Sequence, residues 1–223
     1  IGRSDFRDLI EENCFFIDKS LFIKEIFEED SQIVLLPRPR RFGKTLNLTM
    51  LRYFLEKPDS KPDSKIGTQT NSKEEKKRLF KGLKIEKEKI FDEHLCKYPV
   101  IYLTFKDIKS SDFEHSLKLI KRIIAKEYRR HSYLLESKAL DDFDKKDFHN
   151  IASVKADTSL FETTLLDLSQ YLYKHHKKKP VILIDEYDTP IHEAYIGKYY
   201  EKTIGFFRSF LGAGLKDNPN IYK

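Results

Sequence analysis

With 223 residues, 39% of them hydrophobic and 13% aromatic, the chain carries enough apolar material for one α/β domain with helical additions, under a polar surface in which 35% of residues are charged. No apolar run approaches the roughly 20 residues that cross a bilayer, no signal-peptide pattern opens the chain, and a net charge of +6 permits a nucleic-acid or other anionic partner without requiring one. Cys14 and Cys96 stand alone, with no Cys or His at metal spacing, as fits a reducing cytoplasm.

The chain opens on Ile1-Gly2 without an initiator methionine and reads as a piece of a longer protein. Asp18 is placed to cap a helix carrying Phe22, Ile23, Ile26 and Phe27 on one side. Ile33 to Leu36 form a continuous apolar run, the mark of a strand covered on both faces. A Pro/Arg turn leads to Gly43-Lys44-Thr45, after which Leu46, Leu48, Met50, Leu51 and Phe54 spell a helix. Strand, tight turn, Gly-Lys-Thr and helix is the setting of a phosphate-binding loop. N–H groups at the helix start would face the phosphates, with the positive end of the helix dipole behind them. Gly43 would allow close approach, Lys44 would neutralise β/γ-phosphate charge, and Thr45 would offer its hydroxyl to Mg²⁺. In the usual pattern G-x-x-x-x-G-K-[ST], Arg38 stands where the first glycine belongs. Taken alone, the tripeptide fits an ordinary strand-to-helix turn with a solvated Lys44 equally well.

Residues 57–73 hold a tandem Lys-Pro-Asp-Ser and are expected to form a mobile surface insertion. Pro62-Asp63 followed by Glu74-Glu75-Lys76 imitates a nuclease motif, but that chemistry needs its acids on adjoining strands, and this segment is low-complexity linker and charged helix. Tyr98 to Phe105 is the next strand. Ser111 or Asp112 starts a long helix with Phe113, Leu117, Ile120, Ile124 and Tyr128 on one face. Lys118, Arg122, Lys126 and Arg129 fall on the opposite face, either as a phosphate contact or as a solvated side. Asp141 to Asp147 read as an acidic/lysine connector. Ser159-x-x-Glu162 reads as a capping box opening a helix with Phe161, Leu165, Leu168 and Leu172 on one face. His175, His176 and Lys177 to Lys179 close that helix, where positive charge suits the dipole.

Val181-Ile182-Leu183-Ile184 is then followed at once by Asp185-Glu186. A buried parallel strand ending in two acids sets both at the carboxyl edge of the sheet, where open α/β proteins bind ligands. In a nucleotide hydrolase Asp185 would hold Mg²⁺, and Glu186 would orient or deprotonate the attacking water. A solvated turn or a helix cap explains two acids alone, but less well beside Gly43-Lys44-Thr45. Tyr199 to Leu211 forms the next helix, with Tyr200, Ile204, Phe207 and Leu211 as its buried face and Arg208 beside it. Residues Leu215 to Pro219 make a loop, and Ile221-Tyr222-Lys223 begins a further element.

R-P-R-R-F-G-K-T at Arg38 to Thr45, L-I-D-E-Y-D-T-P at Leu183 to Pro190 and F-I-D-K-S at Phe16 to Ser20 together resemble the AAA-ATPase-like family of bacteria and archaea. L-F-K-G-L at Leu79 to Leu83, Y-P-V-I-Y-L at Tyr98 to Leu103 and L-K-D-N at Leu215 to Asn218 extend the resemblance over nearly the whole chain. Members usually join this P-loop domain to a C-terminal nuclease-like domain of the PD-(D/E)xK type. That domain lies outside this chain, and a nucleic acid reached through it is a partner the resemblance implies. The resemblance also implies that an arginine at the first-glycine position is normal, that the ligand is ATP rather than GTP, and that ATP is hydrolysed. It places the Asp18-Lys19-Ser20 segment ahead of the nucleotide strand, with Asp18 and Lys19 near base or ribose; a plain helix cap and a solvated lysine are the alternative.

The expected fold is therefore an α/β, three-layer P-loop NTPase domain over residues 1–223, with a mainly parallel sheet and helical insertions, truncated before its last strands. P-loop ATPases with a second acid after the strand Asp place another strand between the two motif strands, and here it would follow Asn218. Arg38, Arg40, Arg41, Phe42, Gly43, Lys44, Thr45 and Leu46 are expected around ATP. Thr45 and Asp185 are expected on Mg²⁺, Lys44 and Glu186 as the catalytic groups, and Asp188 behind them. Two rival readings follow from the same residues: a nucleotide-gated interaction module with negligible hydrolysis, and a nucleic-acid-binding module using the Lys118/Arg122/Lys126/Arg129 face.

Overall fold

The structure, a computed structural model, describes residues 3–37, 42–58 and 72–223. Arg38, Arg40, Arg41 and most of the insertion expected at 57–73 lie outside the described residues. The chain divides into two compact units, residues 1–100 with Lys223, and residues 101–222.

The first unit is helical: α1 (Phe6–Glu11), α2 (Phe22–Glu28), α3 (Lys44–Leu55), α4 (Lys73–Leu79) and α5 (Lys89–His94). Asp5 caps α1 by accepting from the N–H groups of Arg7 and Asp8. Phe6, Phe54, Phe80 and Phe91 form its aromatic centre, with Phe6–Phe80, Phe54–Phe80 and Phe54–Phe91 ring centroids 5.2, 5.5 and 5.8 Å apart. Lys76, in the segment that imitates a nuclease motif, is fully buried on α4 and donates to the Glu56 carbonyl at 2.7 Å. It is a structural lysine.

Two expectations fail in this unit. Ile33 to Leu36 form no strand, and Ile33 and Leu35 are 53% and 64% exposed. An apolar run becomes a strand only when a neighbour takes its N–H and C=O groups, and among the described residues no strand pairs with it. Asp18 does not cap α2, whose first turn has no side-chain cap. Its carboxylate accepts instead from Ser20 N–H and Lys84 N–H, both at 2.8 Å, while the Ser20 hydroxyl accepts from Ile85 N–H at 3.1 Å. Asp18 and Ser20 thus cap the 3-10 turn at Lys84–Lys87. Burial opposes the charge on Asp18, but the bonds from Ser20 and Lys84 outweigh it and hold the carboxyl below its ordinary value.

The second unit is α/β with helices dominating. It contains β1 (Val100–Thr104) from its second residue on, α6 (Phe113–Arg130), α7 (Asp142–Ala152), α8 (Thr158–Glu162), α9 (Thr164–His176), β2 (Val181–Asp185), α10 (Asp188–Ile196) and α11 (Tyr200–Leu215). β1 and β2 pair in a small parallel sheet. Phe105 N–H donates to the Asp185 carbonyl at 3.1 Å, so the two carboxyl ends coincide. Ile101, Leu103 and Phe105 pack with Leu117, Ile120, Ile124 and Tyr128 of α6 and with Leu165, Phe207 and Phe210.

On the side of β1 away from β2, the buried Glu127 carboxylate accepts from Tyr102 N–H at 2.8 Å and from Arg130 Nε at 3.0 Å. Burial disfavours its charge, but Arg130 and His131 outweigh burial and hold the Glu127 carboxyl far below the usual range. On the outer side of β2, Tyr222 N–H donates to the Pro180 carbonyl at 2.8 Å.

Several helix boundaries depart from the sequence reading. The acidic connector at Asp141 to Asp147 is the first half of α7, with Asp141 as its cap and Asp142 and Asp144 in the first turn, where the dipole favours negative charge. The cap of the next helix is Asp157, accepting from Leu160 N–H at 2.9 Å, and not Ser159. That helix breaks at Thr163, because the Thr163 and Thr164 hydroxyls bond back to the Leu160 and Phe161 carbonyls and compete with the helical ladder. The face buried by α11 is Thr203, Phe206, Phe207 and Phe210, with Tyr200 exposed. Among the described residues no helix is long and apolar enough to cross a membrane.

Glu127→Gln removes the charge facing Arg130 and should cost about 3 kcal/mol near neutral pH, in line with breaking a buried pair. A carboxyl depressed in the folded state contributes stability that is present above its unfolded pKa of about 4.3 and lost as pH falls towards the folded value. Urea denaturation of both proteins should therefore show a gap that is full near neutrality and narrows in acid. A gap independent of pH would contradict this account.

Candidate functional site

In the first unit, the residues expected around phosphate meet at the start of α3. Gly43 is the residue before the helix, at φ 74 and ψ 25 in the left-handed region. Among the described residues a Cβ there would meet nothing within 4 Å, and the left-handed backbone conformation calls for glycine. The helical ladder begins with Asn47 N–H donating to the Gly43 carbonyl at 2.9 Å. The N–H groups of Lys44, Thr45 and Leu46 precede that bond, and among the described residues no side chain caps them. The first turn carries no acid. Lys44, Thr45 and Leu46 are half-buried, and Phe42 is exposed. Thr49 fixes this end by donating to the Leu46 carbonyl at 3.0 Å and accepting from Phe6 N–H at 3.1 Å. An uncapped helix start with a lysine and a hydroxyl in its first turn is chemically suited to an anion.

In the second unit, the acids stand at the carboxyl end of β2. Asp185 is its last residue and is 2% exposed. Buried carboxylates are kept where hydrogen bonds, a positive charge or a metal ion answers them, and carboxylate and hydroxyl oxygens are the hard donors that Mg²⁺ takes. Glu186 follows at φ 50, left-handed and not glycine, with its carboxylate half-buried. That conformation stores roughly 1–2 kcal/mol. The Thr189 hydroxyl donates to Glu186 Oε2 at 3.3 Å, and Thr189 N–H donates to the Glu186 carbonyl at 3.1 Å. Helix α10 starts at once with an exposed Asp188, which suits its positive end, and Pro190 sits in its first turn, where no N–H is needed.

Thr189 escaped the sequence reading although its spacing of three residues from Glu186 marks a side chain within reach on a first helical turn. The Asp18 carboxylate is engaged with the backbone at Ser20 and Lys84. His175 and His176 behave as expected of helix-end residues, bonding Ser137 and Tyr133 at 2.8 Å each, and among the described residues no cluster suits a metal ion through His, Cys, Asp and Glu alone.

A family model described as "Predicted AAA-ATPase" matches residues 1–223. No curated protein and no solved structure matches the chain.

Gly43 and Glu186, both left-handed, make opposite predictions for thermal unfolding in the absence of ligand. Gly43→Ala should lower stability by about 1 kcal/mol, from the Cβ strain at positive φ. Glu186→Gly should leave the Tm unchanged or higher, because relief of roughly 1 kcal/mol of strain opposes the extra freedom of an unfolded glycine. A fall of several degrees in the second variant would mark the Glu186 side chain as a structural prop.

Proposed function

The chain belongs to the AAA-ATPase-like family, and on that premise we propose that residues 1–223 act as one P-loop domain of three-layer α/β architecture that binds and hydrolyses MgATP. The N–H groups and dipole at the start of α3 receive the phosphates, Gly43 lets them approach, and Lys44 offsets the charge that builds as the γ-phosphoryl group departs. Arg38, Arg40, Arg41, Phe42 and Leu46 complete the loop around the nucleotide. The Thr45 hydroxyl and the Asp185 carboxylate are the oxygen donors we assign to Mg²⁺, which supplies further neutralisation of phosphate charge when bound. Glu186 orients the attacking water and accepts its proton, and Thr189 holds that carboxylate in place. Asp188 supports the acid pair from behind.

The observation that carries this reading is Glu186 itself. A glutamate held at φ 50 directly after a buried strand-end aspartate is costly for the fold, and strain beside a buried acid supports a functional use of the side chain. ATP is the ligand we assign to this chain. A nucleic-acid partner we assign to the nuclease-like domain that members of the family join to it, in a cytoplasmic setting suited to two free thiols.

Lys44→Ala is expected to abolish binding of a fluorescent ATP analogue. Thr45→Ala and Asp185→Asn should remove the Mg²⁺ dependence of that binding. Glu186→Gln should bind ATP as tightly as the parent and lose turnover, which for a P-loop domain without an added arginine finger is about 10⁻² s⁻¹ or slower. Phosphate release that is equal in the parent and in Glu186→Gln would leave only a nucleotide-gated switch.

A further inference from the structure

Helix α6 bears an exposed stripe of Lys118, Arg122, Lys126 and Arg129. Arg122 lies four residues from both Lys118 and Lys126, and like charges at that spacing weaken a helix. No acid stands three or four residues from Arg122 or Lys126 on α6, and among the described residues neither cation has an ion-pair partner. Such a stripe works against the fold that carries it.

The same face borders a groove of about 480 Å³. Leu119, Ile123 and Val154 supply aliphatic lining, and Arg122, Lys126 and Arg129 supply charge. The Arg129 guanidinium donates to the Ala152 carbonyl at 2.6 Å, tying α6 to the end of α7. There the chain turns through Val154 at φ 59, with Val154 N–H donating to the Ile151 carbonyl at 3.0 Å and Lys155 N–H to the Asn150 carbonyl at 2.8 Å. Helix ends of this form are ordinarily closed by glycine, and a β-branched residue at positive φ is a rare and strained choice. Val154 is nevertheless present, 36% exposed, as a wall of the groove. Unanswered cations and a strained apolar wall at one groove are two independent observations of a surface shaped for something outside it.

We propose that this groove docks an acidic peptide segment of a partner protein, one that places an aliphatic side chain between carboxylates. The aliphatic group enters against Leu119, Ile123 and Val154, and the carboxylates meet Arg122 and Lys126, whose fork and ammonium groups suit them. Charge complementarity selects the sign of the partner, and the aliphatic lining selects peptide over nucleic acid. Single strands are held on aromatic platforms, and among the described residues lining the groove none is aromatic. Asp107, at the same groove, is available to accept from a peptide N–H.

The test uses the whole chain and a fluorescein-labelled peptide of alternating Glu and Leu, with a Lys-for-Glu twin and a fluorescent oligothymidylate as comparison probes, read by anisotropy. The Glu/Leu peptide should bind, more weakly as salt rises, and Arg122→Glu/Lys126→Glu should weaken it by roughly tenfold or more. Val154→Gly relieves backbone strain, so it folds, and it should also weaken binding through loss of the apolar wall. Nucleotide affinity should be unchanged in every variant, which separates failure here from failure of the ATP assignment. Equal binding of the Lys twin, indifference to both variants, absence of peptide binding, or displacement of the peptide by the oligonucleotide would each overturn the proposal. If the double reversal unfolds, Arg122→Gln in the Val154→Gly background decides the matter by the same readout.

Discussion

The second unit depends on one hydrogen bond across the edge of its sheet, from Tyr102 N–H to the buried Glu127 carboxylate. In a strand, successive N–H groups point to opposite sides. Phe105 N–H points to β2, and Tyr102 N–H, at odd spacing from it, points the other way. At Tyr102, where no strand among the described residues pairs with that side of β1, a side chain meets the strand instead, one way of protecting an edge from stray pairing. A carboxylate can do this while buried only because Arg130 and His131 outweigh its desolvation. β2 has β1 on one side and, at its amino end, Tyr222 beside Pro180 on the other, while Asp185 at its carboxyl end is buried next to the Phe105 N–H that its carbonyl accepts from.

The approach of Tyr222 has its own cause. Asn218 is buried, and its amide donates to the Gly214 carbonyl at 2.7 Å and the Ser169 hydroxyl at 3.0 Å while its oxygen accepts from Asn220 N–H at 2.9 Å. These bonds reverse the chain after α11 and satisfy groups that a helix end leaves open. The Leu215-Lys216-Asp217-Asn218 motif is thus a turn built around an amide whose donors and acceptor are all used, and it delivers the chain to β2.

Periodicity made the long elements legible. The stretch from Lys44 to Leu55, the helix opened by Asp112, and the strands ending at Thr104 and Asp185 all lie where apolar spacing puts them. Capping competition was harder to read. Asp157 stands two residues ahead of Ser159, and both are good caps, so only the backbone decides between them. The α7 helix hid because its acids look like linker composition, although acids in a first helical turn favour a helix. The stripe on α11 slipped because Phe206, Phe207 and Phe210 supply apolar groups at several registers, and the packing partners choose among them. Ile33 to Leu36 misled for a different reason, since an apolar run states what a strand would bury but not whether a neighbour exists.

The family motifs also separate by the work their residues do inside the fold. Asp18 and Ser20 are committed to backbone N–H groups at Ser20, Lys84 and Ile85, so the Phe16 to Ser20 motif is accounted for by geometry that the first unit needs for itself. Glu186 is the reverse case. Its carboxylate has a long bond to Thr189, and its backbone sits where glycine would be easier. Removing a residue of the first kind takes away bonds to backbone N–H groups, whereas removing one of the second kind takes away a side chain with one long bond at a strained position. The two motifs therefore differ in kind: one is used up in supporting the backbone, and the other holds a strained position with a half-buried carboxylate.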